Sequence, residues 1–129
     1  IRSLFLGVVT PGQRDALLST ADCLMAPSRV INQRREGCPL TVLEALNAGV
    51  PAVTCDDGNG GYFAQYGGTR VVPTDDREAL RNAVSTILDD PRLRQEMAYR
   101  GRALVAPRTW AASGPLFMSD LNRSAGLSP

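Results

Sequence analysis

Lysine and histidine are both absent from this chain of 129 residues, so that all 14 of its basic residues are arginine. Without histidine there is no His-based metal site, and no Ser-His or Cys-His nucleophile pair can form within the chain. The arginine-only usage reads as a compositional bias rather than a functional signal. Cysteine is also scarce. Cys23, Cys38 and Cys55 are odd in number, widely spaced and in no C-x-x-C arrangement. That argues against a disulfide framework or zinc site and for a reducing cytoplasm. Cys23 and Cys55 lie in apolar, strand-like runs and read as small core residues. No signal peptide is evident, and no apolar run is long enough to span a bilayer. Net charge is only +1, which gives no case for nucleic acid as a partner. Hydrophobic content of 43% and charged content of 21% suit one domain with a real core, too short for two full domains. The first residue is Ile rather than Met, and the chain is expected to be a piece of something longer.

What is present concentrates between Arg34 and Pro51, in RREGCPLTVLEALNAGVP. Pro39 stands where a first helical residue would, needing no intrahelical donor, and Gly49 follows the last turn as a left-handed cap. Pro51 blocks continuation. Leu40, Val42, Leu43, Ala45, Leu46 and Ala48 cover most of the circumference, which predicts a largely buried helix. Thr41, Glu44 and Asn47 are its polar exceptions, three residues apart and on one face. A carboxylate on so apolar a helix needs partners, because burying it alone is costly. Glu36 precedes Glu44 by eight residues, in the loop before the helix. A loop feeding a helix N-terminus offers free N–H groups and the positive end of a dipole, which suits phosphate. Two glutamates around such a site suggest a ligand with both phosphate and hydroxyls, as in a nucleoside diphosphate sugar.

The surrounding chain predicts strand and helix in alternation. Residues 3 to 9, SLFLGVV, form an apolar branched run that reads as a buried strand, followed by a helix over about 12 to 20 with Leu17 and Leu18 inward. Further strands are expected at Asp22 to Ala26, Ala52 to Cys55 and Arg70 to Val72, with a short helix around Tyr62 to Gln65. Asp75 or Asp76 caps the next helix, whose Leu80, Val84, Ile87 and Leu88 make one stripe. Pro91 opens another with Asp90 as cap and with Leu93, Met97 and Leu104 inward. Gly114-Pro115 interrupts any last helix, which should be short or broken. This pattern implies an α/β fold, a Rossmann-like doubly wound parallel sheet of about four strands with helices on both faces. The expected division is 1–112 for that domain and 113–129 for a C-terminal tail. Ligands of such sheets bind at the carboxyl ends of the strands, where Val9 to Pro11, Ser28 to Cys38 and Asp56 to Gly61 would lie.

The order PS, then EGCPLTVLEAL, then AGVPAVT, running from Ser28 through Glu36 and Glu44 to Val53, resembles the E-x7-E region of the retaining GT-B glycosyltransferases of family 4. The spacing alone would be weak. Together with PS upstream, the Gly-x-Pro-Leu helix entry and the G-x-P-x-V strand entry, it is specific, and the resemblance covers about residues 3 to 110. It implies the donor-binding C-terminal domain of a GT-B fold, lacking its first strands. By resemblance Glu36 lies beside the donor sugar and holds its hydroxyls, and Glu44 accepts hydrogen bonds from the ribose. Gly37, Cys38, Pro39, Leu40 and Thr41 would face the diphosphate through the helix start. Ser28 and Val9 would line the site, and Gly60 and Gly61 would let the backbone approach the donor.

Each assignment has a plainer counterpart. Glu44 could pair with an arginine as a structural ion pair, Glu36 could be an ordinary loop residue, and the glycines a turn. Arg29, Arg34 and Arg35 singly read as a solvated loop face and collectively favour phosphate or an acidic acceptor. Asp56-Asp57, Asp75-Asp76 and Asp89-Asp90 read as caps and turns rather than metal ligands; no essential metal or other cofactor is expected.

The sequence departs from the family pattern at Ala64, where many members have Glu, and at Gly114-Pro115, where a terminal helix usually crosses to the other domain. The family's phosphate-binding Arg and Lys lie upstream of this chain, as does the acceptor domain. The expectation is the donor-binding half of a retaining glycosyltransferase that moves a sugar from a nucleoside diphosphate to a glycan, lipid or small-molecule acceptor. The fragment alone is not expected to catalyse. The full-length protein would be cytoplasmic, at the inner face of the membrane if it associates peripherally. The alternative is a catalytically inactive GT-B-like binding or scaffold module. A dinucleotide-binding oxidoreductase is disfavoured, since no G-x-G-x-x-G follows the first expected strand.

Overall fold

The computed structural model describes residues 3–28, 40–56, 63–64, 67–124 and 126. Three short strands, β1 (Leu24–Ala26), β2 (Ala52–Cys55) and β3 (Thr69–Val72), lie parallel in that order. Leu24 pairs with Ala52, and Ala52 pairs in turn with Thr69. Every residue of β2 is buried, as a strand flanked on both edges and covered on both faces must be. Its side chains alternate between two core clusters. Ala52 packs with Val42, Leu46, Phe63, Leu104 and Val105. Val53 and Cys55 pack with Val72, Ala83, Ile87 and Met97 on the other face.

Helix α2 (Leu40–Ala48) supplies the first cluster and α3 (Arg77–Asp89) the second, while α4 (Pro91–Val105) contributes to both. This is the α/β arrangement expected, a parallel sheet with helices on both sides. The punctuation is also as read from the sequence. Gly49 adopts φ +81, donating to the Leu46 carbonyl at 3.0 Å, and Val50 donates to that of Ala45 at 2.8 Å. Those two bonds make a Schellman cap, with glycine at the left-handed position. The Asp76 side chain accepts from the Ala79 N–H at 2.8 Å, and Asp90 accepts from Arg92 and Leu93 at 2.9 and 3.0 Å. Among the inward residues named in advance, Ile87, Met97 and Leu104 are buried; Leu88, at 44% exposed, is not.

Four expectations are corrected. Residues 3–9 form no strand, so the described sheet has three strands rather than four. Leu4, Phe5 and Val8 stand in solvent: a branched apolar run has only the capacity for a strand, and this one pairs with neither β1 nor β3, the edges of the described sheet. As a result α1 (Pro11–Thr20) is covered by no strand: it has no buried residue, and Leu17 is 45% exposed. Leu40, in the first turn of α2, is 68% exposed, leaving that helix less enclosed than its composition suggests. Finally, α5 (Trp110–Ser124) runs unbroken through Pro115. The proline forfeits one bond, to the exposed carbonyl region of Ala111, and Gly114 has no Cβ to collide with the pyrrolidine ring. Of the short helix expected around Tyr62, only Phe63 and Ala64 are described; both are helical, and Phe63 is fully buried. No helix among the described residues is long and apolar enough to cross a membrane.

Candidate functional site

The carboxyl ends of the three strands are Ala26, Cys55 and Val72, and a cavity of about 260 Å³ opens beside them. Ser28, two residues beyond β1, lines it with Cys55, Asp75, Asp76 and Arg77. Asp56, the first residue past β2, accepts from the Thr74 N–H at 2.8 Å and from its hydroxyl at 2.9 Å. These bonds tie the ends of β2 and β3 together and hold the Asp56 carboxyl below its usual pKa. Asp75 sits at φ +66, a left-handed conformation that aspartate tolerates better than most residues. The aspartates Asp56, Asp76 and Asp90 thus act as clasps and caps, in line with the plainer reading of the acidic pairs.

Helix α2 starts after the β1 end, so its N-terminus opens toward the same edge, with Leu40 and Thr41 exposed in the first turn. Glu44 lies one turn further in. Its Oε1 accepts a hydrogen bond from Arg14 NH1 of α1 at 2.7 Å, with the two side chains 35% and 42% exposed. Arg14 Nε and NH2 also donate to Asp15 Oδ1 at 3.1 and 3.0 Å. That hydrogen bond, opposed by desolvation and aided by the charge of Glu44, raises the arginine pKa further above its ordinary value. The ion-pair counterpart for Glu44 is therefore realised in the structure. Sequence reasoning did not single out Arg14. The available signal was its position four residues before Leu18, which puts a cation on the inward face of α1.

Val9 lines a different cavity, of about 390 Å³, with Leu6, Val8, Gln13, Ala16 and Leu17. It shares no lining residue with the cavity beside Ser28. Glu36, Gly37, Cys38, Pro39, Gly60 and Gly61 lie outside the described residues, as do Arg29, Arg34 and Arg35. Cys23 is no nucleophile: burial, with help from Asp22, pushes its thiol up to about 11, so it stays protonated near neutrality. Among the described residues no cluster of side chains could hold a metal ion.

The family model for glycosyl transferases group 1 matches residues 2–104. The chain belongs to that family. No curated protein matches the sequence. Among solved structures, a sucrose-phosphate synthase from Thermosynechococcus elongatus superposes with a TM-score of 0.80 at 27% identity over 95% of this chain. The fold is accordingly that of a fragment of a GT-B glycosyltransferase domain. The chain spans 30% of that relative's length.

Proposed function

We propose that this chain is the donor-binding part of a family 4, retaining glycosyltransferase, taking a nucleoside diphosphate sugar and passing its sugar to an acceptor held mainly by a further domain. The observation that carries the reading is Glu44: a part-buried carboxylate, the one charged residue of a mostly apolar helix, one turn from an N-terminus that opens at the carboxyl edge of the sheet. In this reading Glu44 accepts the ribose hydroxyls, each charge-assisted bond contributing about 1.5–3 kcal/mol. Glu36 orients the sugar, and Cys38, Leu40 and Thr41 present backbone N–H donors to the diphosphate, with Gly37 and Pro39 shaping the helix entry. Ser28, Val9, Gly60 and Gly61 line the donor's surroundings. The bond between sugar C1 and the phosphate oxygen breaks through an oxocarbenium-like transition state. Charge growing on the leaving diphosphate is met by the helix terminus and by basic residues outside this chain. No metal is required. The relative's name, sucrose-phosphate synthase, is that of an enzyme that builds a sugar phosphate, which agrees with a sugar-transferring reading.

A second reading, a GT-B-like scaffold without catalysis, is favoured by Ala64. It stands exposed next to buried Phe63, offering only a methyl group where the family pattern has Glu in many members. Amide NMR titration of the chain with UDP, GDP and ADP separates the two, since it detects affinities near 1 mM, about −4 kcal/mol. Shifts centred on residues 40–44, abolished by Glu44→Ala, are expected for one nucleotide. Three flat titrations would leave the scaffold.

A further inference from the structure

We propose that Arg14 is a positioning residue for the donor's ribose, acting through Glu44. The inference rests on the ribose role of Glu44 given above and adds a residue that reading does not contain. Arg14 and Glu44 come from different helices, 30 residues apart, and meet at 2.7 Å. Asp15 holds the guanidinium from its other side through Nε and NH2, so the group is fixed at three of its five N–H donors. A glutamate side chain has three rotatable bonds, and ordering it on binding weakens affinity; a carboxylate already held at one oxygen avoids that loss. A carboxylate offers about four lone-pair sites. Arg14 occupies one on Oε1, and the described residues give Oε2 no partner, so acceptors remain for a pair of adjacent hydroxyls. The arginine also offsets the charge of Glu44, which would otherwise repel an incoming diphosphate.

The contrary view is that Arg14 only staples α1 to α2. Part-exposed pairs of this kind contribute little to stability, and α1 buries no residue, so removing the staple should leave the sheet intact. The two views separate on discrimination between ribose and dideoxyribose. The chain and its Arg14→Leu, Arg14→Lys and Glu44→Ala variants are titrated by NMR with UDP, GDP and ADP, each beside its 2′,3′-dideoxy counterpart. For the nucleotide that binds, the unaltered chain should prefer the ribose form by about tenfold, the size of one charge-assisted hydrogen bond. Arg14→Leu should keep the amide spectrum of residues 40–105 while its preference falls to within about twofold, and Arg14→Lys should recover part of it, because a point charge holds one oxygen less rigidly. Arg14→Gln serves as the neutral variant if leucine disturbs α1. A full preference surviving in Arg14→Leu but lost in Glu44→Ala overturns the positioning role and leaves the ribose role standing. No preference in the unaltered chain, or one that survives Glu44→Ala, removes the ribose role and this inference with it.

Discussion

The middle of the chain, β1 with residues 40–105, and the flanks at 3–20 and 110–124 draw on similar amino acids, yet only the middle is held by burial. Between Leu40 and Val105, two clusters enclose Val42, Leu46, Val53, Ile87 and Met97. The flanks carry Leu4, Phe5, Val8, Trp110, Leu116 and Phe117, and all six are more than half exposed. Hydropathy is therefore not what separates the regions. The middle has a parallel sheet whose three strands satisfy one another, so each helix finds a ready surface. The leading flank has the composition of a strand but pairs with neither edge of the described sheet, β1 or β3, and without that strand α1 has no sheet to cover. Burial here is a property of partners, and a run of branched residues states only a capacity for it.

The sharpest way to break this comparison is to remove the same side chain from both regions. Leu46 is fully buried, and its Cδ2 lies 2.8 Å from where a Cβ on Gly101 would stand. Such close packing leaves no room for collapse around a hole. Leu46→Ala is expected to cost about 2–5 kcal/mol in chemical denaturation, whereas Leu17→Ala on α1 should cost less than about 1 kcal/mol. Equal losses would mean that α1 is as firmly part of the core as α2.

Caps give a finer test, because both regions use the same chemistry. Asp90 accepts from Arg92 and Leu93 at the start of α4, and Thr10 and Gln13 form a reciprocal capping box at the start of α1. Asp90→Ala should lower global stability by about 1 kcal/mol, since α4 bridges both clusters. Thr10→Ala loses a comparable cap, but α1 can fray without opening the sheet. Its effect should appear as faster amide exchange within residues 11–20, with the denaturation midpoint unmoved. A midpoint shift as large as that of Asp90→Ala would show that α1 unfolds only together with the sheet.

What could be read in advance follows the same division. The caps at Gly49, Asp76 and Asp90, the inward residues Ile87, Met97 and Leu104, and strand β2 were all legible, because local chemistry and burial agree there. The strand at 3–9 misled, since pairing is non-local and the sequence does not say whether a run will reach an edge. Pro115 misled in the opposite direction: it reads as a helix breaker, but the preceding glycine has no Cβ to clash with the pyrrolidine ring. At the candidate site, Glu44 stood out as a charge on an apolar helix. Its partner did not, because Arg14 sits 30 residues away on a helix whose own pattern is weak. A carboxylate is conspicuous in sequence; the cation that holds it shows only once two helices are set side by side.

The smallest expected effect probes the leading flank itself. Phe5 is 96% exposed, so exchanging its benzyl side chain for hydroxymethyl removes no packed contact. Phe5→Ser should change the free energy of unfolding by no more than about 0.5 kcal/mol in either direction. Its consequence should lie in solubility instead, because Leu4, Phe5, Leu6 and Val8 together form an exposed, branched, uncharged run of the kind that associates between chains. Light scattering at increasing concentration should show less self-association in the variant. If Phe5→Ser instead lowered stability by about 2 kcal/mol or more, the cost of losing a buried aromatic, residues 3–9 would be packed in solution and the contrast between middle and flank would fail at its leading end.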